Sequence, residues 1–408
     1  MSGHEVRAAS RALSIEYAIR DVVVPATALE AEGHQILKLN IGDPIAYPGL
    51  PTPQHMVDAY ADAVQQGMNG YSPSYGLPEL RKAVAAEERS KGWPATSDDI
   101  YVCHGVTEAL QLLFAAVLEE GDVVLAPGPH YPPYMAYPQM YGATTVEYRL
   151  DANDGWRIDL ADLESKMTDK VRFVVLINPN NPTGNVATPE EIDAILSIVK
   201  AWPQCMVIAD EIYDGLDFTG HQVSVASRSN EVPVVTLNGV SKVFFAPGWR
   251  IGWFGLHDPM NTLGSVREAL ERLLRSRLCA STPAQRGYLA GLLGDRSWMG
   301  PYLERVQAQR QRCLERIAAI DGLEVQAPGG AFYMFVRLTD EAWAKNDKQF
   351  VLDLLHEEHV LLVHGSGFSP ERGKGHVRLV YLADVEVLDE AFDRIERFLT
   401  RHRTSSML

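Results

Sequence analysis

Lys242 and Arg250 stand eight residues apart with Pro247 and Gly248 between them. A proline breaks the helical hydrogen-bond ladder and a Pro-Gly pair turns the chain, so both cations can face one site. The stretch before them, residues 232–237 (VPVVTL), reads as a buried strand. The lysine is therefore expected just past a strand's carboxyl end, where open α/β sheets keep their ligands. Held among Phe244, Phe245 and Trp249 it would lose water, its pKa would fall, and the neutral amine would serve as nucleophile and base. A solvated lysine beside an aromatic core segment is the alternative.

Other segments offer matching chemistry. Residues 103–110 (CHGVTEAL) join a strand, a glycine turn and a helix start. The amides of Val106 and Thr107 would point at an anion at the positive end of that helix; Thr107 capping its own helix accounts for the motif equally well. Residues 178–184 (NPNNPTG) follow a strand and offer Asn181 at the sheet's edge, with more asparagines than a turn requires. Asp210 ends the apolar run 207–210, with Tyr213 three residues on. A buried carboxylate needs a cation, either a structural ion pair or a ring nitrogen that must stay protonated. In residues 37–44 (LKLNIGDP) a short strand runs into a Gly-Asp-Pro turn, which would bring the backbone near Gly42 close to a ligand or form a plain surface turn.

The elements that must hold these groups alternate. Short apolar runs at 100–103, 122–126, 144–148, 171–177, 205–209 and 232–237 read as strands, and 108–118, 132–141 and 189–201 as helices between them. Strands apolar on both faces and separated by helices predict an α/β fold with a mainly parallel central sheet covered on each side. Helical spacing also marks 54–66 and 77–91. Beyond residue 261 the chain turns mostly helical, then gives strands at 323–325, 331–336, 360–363 and 377–381 with helices at 349–356 and 385–400. Residues 49–298 are thus expected as a large domain and 299–408 as a smaller α/β domain, with residues 1–48 packing on the latter.

Length and charge narrow the class. The chain has 408 residues, of which 46% are apolar and 22% charged, the profile of a soluble globular protein. A net charge of −16 without any Lys/Arg-rich run argues against a nucleic-acid partner. Cys103, Cys205, Cys279 and Cys313 are scattered without a C-x-x-C pair, which fits reduced thiols in the cytoplasm rather than disulfides or zinc. No secretory leader or membrane span is expected.

Taken together, Gly105-Val-Thr107, Tyr131, Asn181-Pro-Thr-Gly184, Asp210-x-x-Tyr213, Ser241-Lys242, Arg250 and Arg378 in HVRLVYL resemble the class I and II pyridoxal-phosphate aminotransferases of fold type I, in the family's order and over residues 37–399. The resemblance implies that Lys242 forms an imine with the cofactor and later moves the proton, that Asp210 pairs with the ring nitrogen, and that Asn181 and Tyr213 bond the ring's phenolic oxygen. Tyr131 would stack on the ring; Ser241, Arg250 and the amides of Val106 and Thr107 would hold the phosphate. Arg378, with Gly42 alongside and Asn181 close by, would bind the substrate α-carboxylate, for which a guanidinium fork is suited. Tyr71 looks like the tyrosine that reaches a phosphate in the partner subunit, which implies a homodimer with shared active sites. His364 stands where much of the family has proline. That departure, with residues 16–20 (EYAIR) and 37–44, resembles the alanine aminotransferase subgroup, and makes Arg20 the candidate contact for a distal carboxylate or else a solvated arginine. The implied reaction is a ping-pong transfer of an amino group from an L-amino acid to a 2-oxo acid, with alanine and glutamate the expected donors. A C–S lyase, a racemase, an aminocyclopropane-carboxylate-synthase-like enzyme, or an aspartate or aromatic aminotransferase would keep the same cofactor residues. A regulatory module with a fused DNA-binding domain would want a basic helix-turn-helix, which the acidic charge opposes.

Overall fold

The computed structural model describes residues 6–13, 15 and 22–406. Its first strand, β1 (Leu37–Lys38), pairs in parallel with a strand from the far end of the chain. Eight strands follow: β2 (Ile100–Cys103), β3 (Val123–Gly128), β4 (Thr144–Asp151), β5 (Arg157–Ile158), β6 (Val171–Ile177), β7 (Met206–Asp210), β8 (Val234–Gly239) and β9 (Gly252–His257). They form one sheet in the order β2-β9-β8-β7-β6-β3-β4-β5. Neighbours from β8 through β4 are parallel, whereas β9 runs antiparallel to both β2 and β8, and β5 antiparallel to β4.

The central strands are buried on both faces because their alternate residues feed two cores. Phe173, Val175 and Ile177 of β6 join one, and Val174 and Leu176 the other, as the two-residue period of an extended chain requires. Helices Gly105–Val117, Pro133–Met140 and Pro189–Lys200 follow β2, β3 and β6. The last starts where Thr188 and Glu191 close a capping box with Pro189 at the first turn. Among the described residues no helix is long and apolar enough to cross a membrane.

This topology sets the position of the site. Because β9 is antiparallel to both its neighbours, β2 points the same way as β8, and so the carboxyl ends of β2, β3, β6, β7 and β8 share one edge with the start of β9. The chain segments that leave or enter there carry Val106, Tyr131, Asn181, Asp210, Lys242 and Arg250. The sequence reading did not anticipate β9. Its run GWFGLH is fully buried, so it shows neither alternation nor a helical period, and it follows directly on the Pro-Gly turn.

The C-terminal part contributes β10 (Leu323–Val325), β11 (Tyr333–Leu338), β12 (Val360–Leu361), β13 (Val363–His364) and β14 (His376–Val380). β10-β11-β14-β13 make an antiparallel sheet, while β12 takes β1 as its partner. The single strand expected at 360–363 is therefore two, belonging to different sheets. All four residues are buried, and a uniformly apolar run does not reveal a change of partner. Residue 39 is stitched into the same region: the Leu39 amide donates to Leu361 O, and the Val380 amide to Leu39 O, at 3.0 and 2.9 Å. That fastening brings residues 40–43 alongside Arg378.

Candidate active site

A cavity of about 580 Å³ opens where the carboxyl edge of the large sheet meets residues 41–43, Tyr333 and Arg378. Lys242, Asp210, Tyr213, Asn181, Tyr131, Ser241, Arg250, Val106, Thr107, Gly42 and Arg378 all line it. Residues spread from 42 to 378 thus converge on one volume.

Lys242 follows β8 by three residues and donates from Nζ to the Gly42 carbonyl at 2.6 Å. Burial, with the Arg378 guanidinium adding repulsion, lowers its pKa from the usual 10.5 to about 8. None of the aromatic residues expected to desolvate it lines the cavity. Phe244 packs on Tyr288 and Trp298, Phe245 on Trp298 and Tyr302, and Trp249 on Tyr60. Those contacts anchor the turn from behind.

Asp210 ends β7 and is only 3% exposed. Burial pushes its carboxyl up to about 6, against the pull of two donors. These are the Tyr134 hydroxyl, 2.8 Å from Oδ2, and the Ile212 amide, 3.3 Å from Oδ1. No cationic side chain among the described residues lies within ion-pair distance. Tyr134 was not singled out from sequence, since a tyrosine in an apolar helix reads as core.

At the other end of the cavity, helix Gly105–Val117 begins. Gly105 adopts φ +76°, a backbone conformation that favours glycine, and the Arg250 guanidinium lies close against it. Thr107 makes no capping hydrogen bond. Instead Glu108 reaches back to the His104 amide at 2.7 Å, and the first-turn amides of Val106 and Thr107 have no intrahelical carbonyl to bind. Arg250, in the left-handed region at φ 54°, is tethered to Pro247 O at 2.8 Å. Among the described residues it pairs with no carboxylate. Arg250, Ser241 and the helix start line one end of the cavity and could together hold an anion.

Arg378 is 1% exposed, yet it too pairs with no carboxylate among the described residues. Nη1 donates to Asn181 Oδ1 at 2.9 Å and Nη2 to Asn40 O at 2.6 Å, while buried Nε has no hydrogen-bond partner. Its guanidinium carbon lies 4.6 Å from the Tyr333 ring centre and 4.8 Å from that of Phe368. Each such contact is worth about 2 kcal/mol when water is excluded, which holds the fork in one orientation. The other two asparagines of the turn are occupied in shaping it: Asn178 Oδ1 accepts from the Ala187 amide and Asn180 Oδ1 from the Thr183 amide and hydroxyl. The Tyr213 hydroxyl lies 2.8 Å from that of Tyr333. Burial, and Tyr333 beside it, raise the Tyr213 pKa well above its usual value, so it stays a neutral hydroxyl.

Two candidates stand apart. Tyr71 is 83% exposed and does not border the cavity of its own chain. Arg20 lies outside the described residues.

Comparison with known proteins identifies the family. Residues 34–395 match the model of the family described as aminotransferase class I and II. An alanine aminotransferase of Mycobacterium tuberculosis is 37% identical over 384 residues, covering 93% of this chain and 89% of its own length. The glutamate-pyruvate aminotransferase AlaA of Haemophilus influenzae is 37% identical over 93% of this chain and 94% of its own. Among solved structures, an alanine aminotransferase from Pyrococcus furiosus superposes with a TM-score of 0.94 at 46% identity, covering 97% of this chain and all of that one. The chain therefore belongs to the class I and II aminotransferases, enzymes of fold type I that use pyridoxal 5′-phosphate to move an amino group between an amino acid and a 2-oxo acid.

Proposed function

We propose that this aminotransferase works on the alanine and glutamate type of substrate, exchanging amino groups between L-alanine or L-glutamate and 2-oxoglutarate or pyruvate. The activities named for the relatives support that pair. The observation that carries the site assignment is the pair of buried charges on the cavity without an ion-pair partner among the described residues, the Asp210 carboxylate and the Arg378 guanidinium, with the exposed Arg250 at the same cavity. Pyridoxal phosphate fits that set, with a protonated ring nitrogen for Asp210 and a phosphate for Arg250.

In this reading Asp210 accepts from the ring nitrogen and keeps its proton in place. Asn181 and Tyr213 face the phenolic oxygen, and Tyr131 lies against the ring. Ser241, Arg250 and the Val106 and Thr107 amides hold the phosphate, and Lys242 is the site of covalent attachment. Bound there, the cofactor supplies a ring that accepts the electron pair left by the substrate's Cα–H bond. Once the substrate amine has displaced it from the cofactor, Lys242 Nζ takes the α-proton and holds it for return. Arg378, beside Gly42, clamps the α-carboxylate so that this bond faces the amine, and Arg20 is assigned the distal carboxylate of glutamate.

Exposed Tyr71 is assigned to the phosphate of a second copy, making a homodimer with shared sites; an active monomer by size exclusion with light scattering overturns this. The division at residues 48 and 298, with the cofactor on the middle segment, belongs to the same reading. So does a cytoplasmic location, which the four unpaired cysteines favour.

The deciding experiment follows the absorbance of the purified holoenzyme. L-alanine or L-glutamate alone should convert it to the pyridoxamine form, and pyruvate or 2-oxoglutarate should restore it. No conversion by either amino acid overturns the substrate pair. Lys242→Ala should lower turnover by at least about 10³-fold, and undiminished turnover overturns its role.

A further inference from the structure

Tyr333 touches more of the cavity's machinery than any role above gives it. Its hydroxyl lies 2.8 Å from the Tyr213 hydroxyl. Its ring packs 4.6 Å beneath the Arg378 guanidinium. A Cβ added to Gly42 would overlap that same hydroxyl, so the absence of a side chain at 42 makes room for it. Lys242 in turn bonds the Gly42 carbonyl. One residue at the start of β11 thus contacts the tyrosine assigned to the cofactor's ring oxygen, the arginine assigned to the substrate carboxylate, and the backbone that holds the lysine.

We propose that Tyr333 is a positioning residue with two separable parts: its hydroxyl donates to Tyr213, so that Tyr213 is committed to donating onward to the cofactor's phenolic oxygen, and its ring holds the Arg378 fork in the orientation that receives the substrate carboxylate. A hydroxyl has one proton and two lone pairs. If Tyr213 gives its proton to the ring oxygen, its contact with Tyr333 must run the other way, and a donor that itself accepts a hydrogen bond is strengthened. A donor on the phenolic oxygen draws negative charge away from the neighbouring protonated imine nitrogen. Weakening that donor leaves the protonated form more stable and raises the nitrogen's pKa. The inference rests on the cofactor assignment made above.

The test uses the holoenzyme and its visible absorbance as a function of pH, which reports that pKa without turnover. Tyr333→Phe, which keeps the ring, should move the midpoint upward by about one pH unit and leave the dissociation constant for propionate, an unreactive carboxylate, unchanged. Tyr333→Leu should add a loss of propionate affinity of about tenfold or more. In a Tyr213→Phe background, Tyr333→Phe should produce no further shift. An unmoved midpoint in Tyr333→Phe, or an equal shift with Tyr213 already removed, overturns the relay. Unchanged propionate affinity in a folded Tyr333→Leu variant overturns the clamp. A wild-type protein that forms no absorbing adduct with pyridoxal phosphate fails the cofactor assignment instead, so the two failures are distinguishable.

Discussion

Asp210 and Glu211 are consecutive, both nearly inaccessible, and lie in opposite circumstances. Asp210 faces the cavity, where only neutral donors meet it. Glu211 turns away, as the next residue of an extended chain must. Its Oε1 accepts from the Val225 amide at 2.9 Å, and burial together with neighbouring Glu88 pushes its pKa up. There Lys91 supplies a cation, bonded at 2.6 Å to Glu88 and 2.5 Å to Asp214. One side of the strand end is thus a cluster of acids around Lys91, and the other a single carboxylate on the wall of the cavity that Lys242 also lines. Among the described residues neither carboxylate has a cation within ion-pair distance, so burial without one does not by itself mark the functional carboxylate; what separates them is that Asp210 lines the cavity, whereas Glu211 belongs to the acid cluster around Lys91.

Substitutions can break this contrast. Asp210→Asn keeps the shape and removes the charge assigned above to the ring proton, and turnover should fall about 10²- to 10³-fold while the urea midpoint moves little. Glu211→Gln should do the reverse, leaving turnover alone and shifting stability by about 1 kcal/mol. Equal losses of turnover in the two variants would erase the distinction. A cavity cation gives the next largest effect. Arg378→Lys keeps the charge but loses the fork, so KM for both amino acids should rise about tenfold or more with a smaller change in kcat; steady-state kinetics with L-alanine and L-glutamate decide it.

The smallest effect is one of pH on the cofactor-free protein. Lys242 titrates near 8 in the fold and near 10.5 when unfolded. Between those values the unfolded chain binds more protons, so stability should rise with pH across that window. Urea midpoints measured from pH 8 to 10.5 should show the rise in the wild type and a smaller one in Lys242→Met. A slope unaffected by that substitution would mean the cavity does not strain the lysine.

Legibility followed chemistry. Groups that are rare in apolar surroundings announced themselves: Asp210 closing an apolar run, and a lysine and an arginine flanking Pro-Gly. The parallel sheet was legible too, since short β-branched runs between helices have few other uses. What stayed hidden was polar function inside ordinary core residues. Tyr134 and Tyr333 sit in aromatic, apolar stretches, and only the fold shows that each hydroxyl ends on a partner in the cavity. Asn40 acts through its backbone carbonyl, which no side-chain pattern can signal. The mistaken surroundings of Lys242 have the same origin: Phe244 and Phe245 are its neighbours in sequence, but the turn directs them into the core behind it.

The Arg378 clamp spans the chain, taking one bond from residue 40 and one from residue 181. The residues assigned to the cofactor within a single chain all fall between 106 and 250. A polypeptide emerging from the ribosome therefore carries that whole set long before it carries the arginine. Substrate recognition has to wait for the last part of the chain to be made, after every residue assigned to the cofactor has been synthesised.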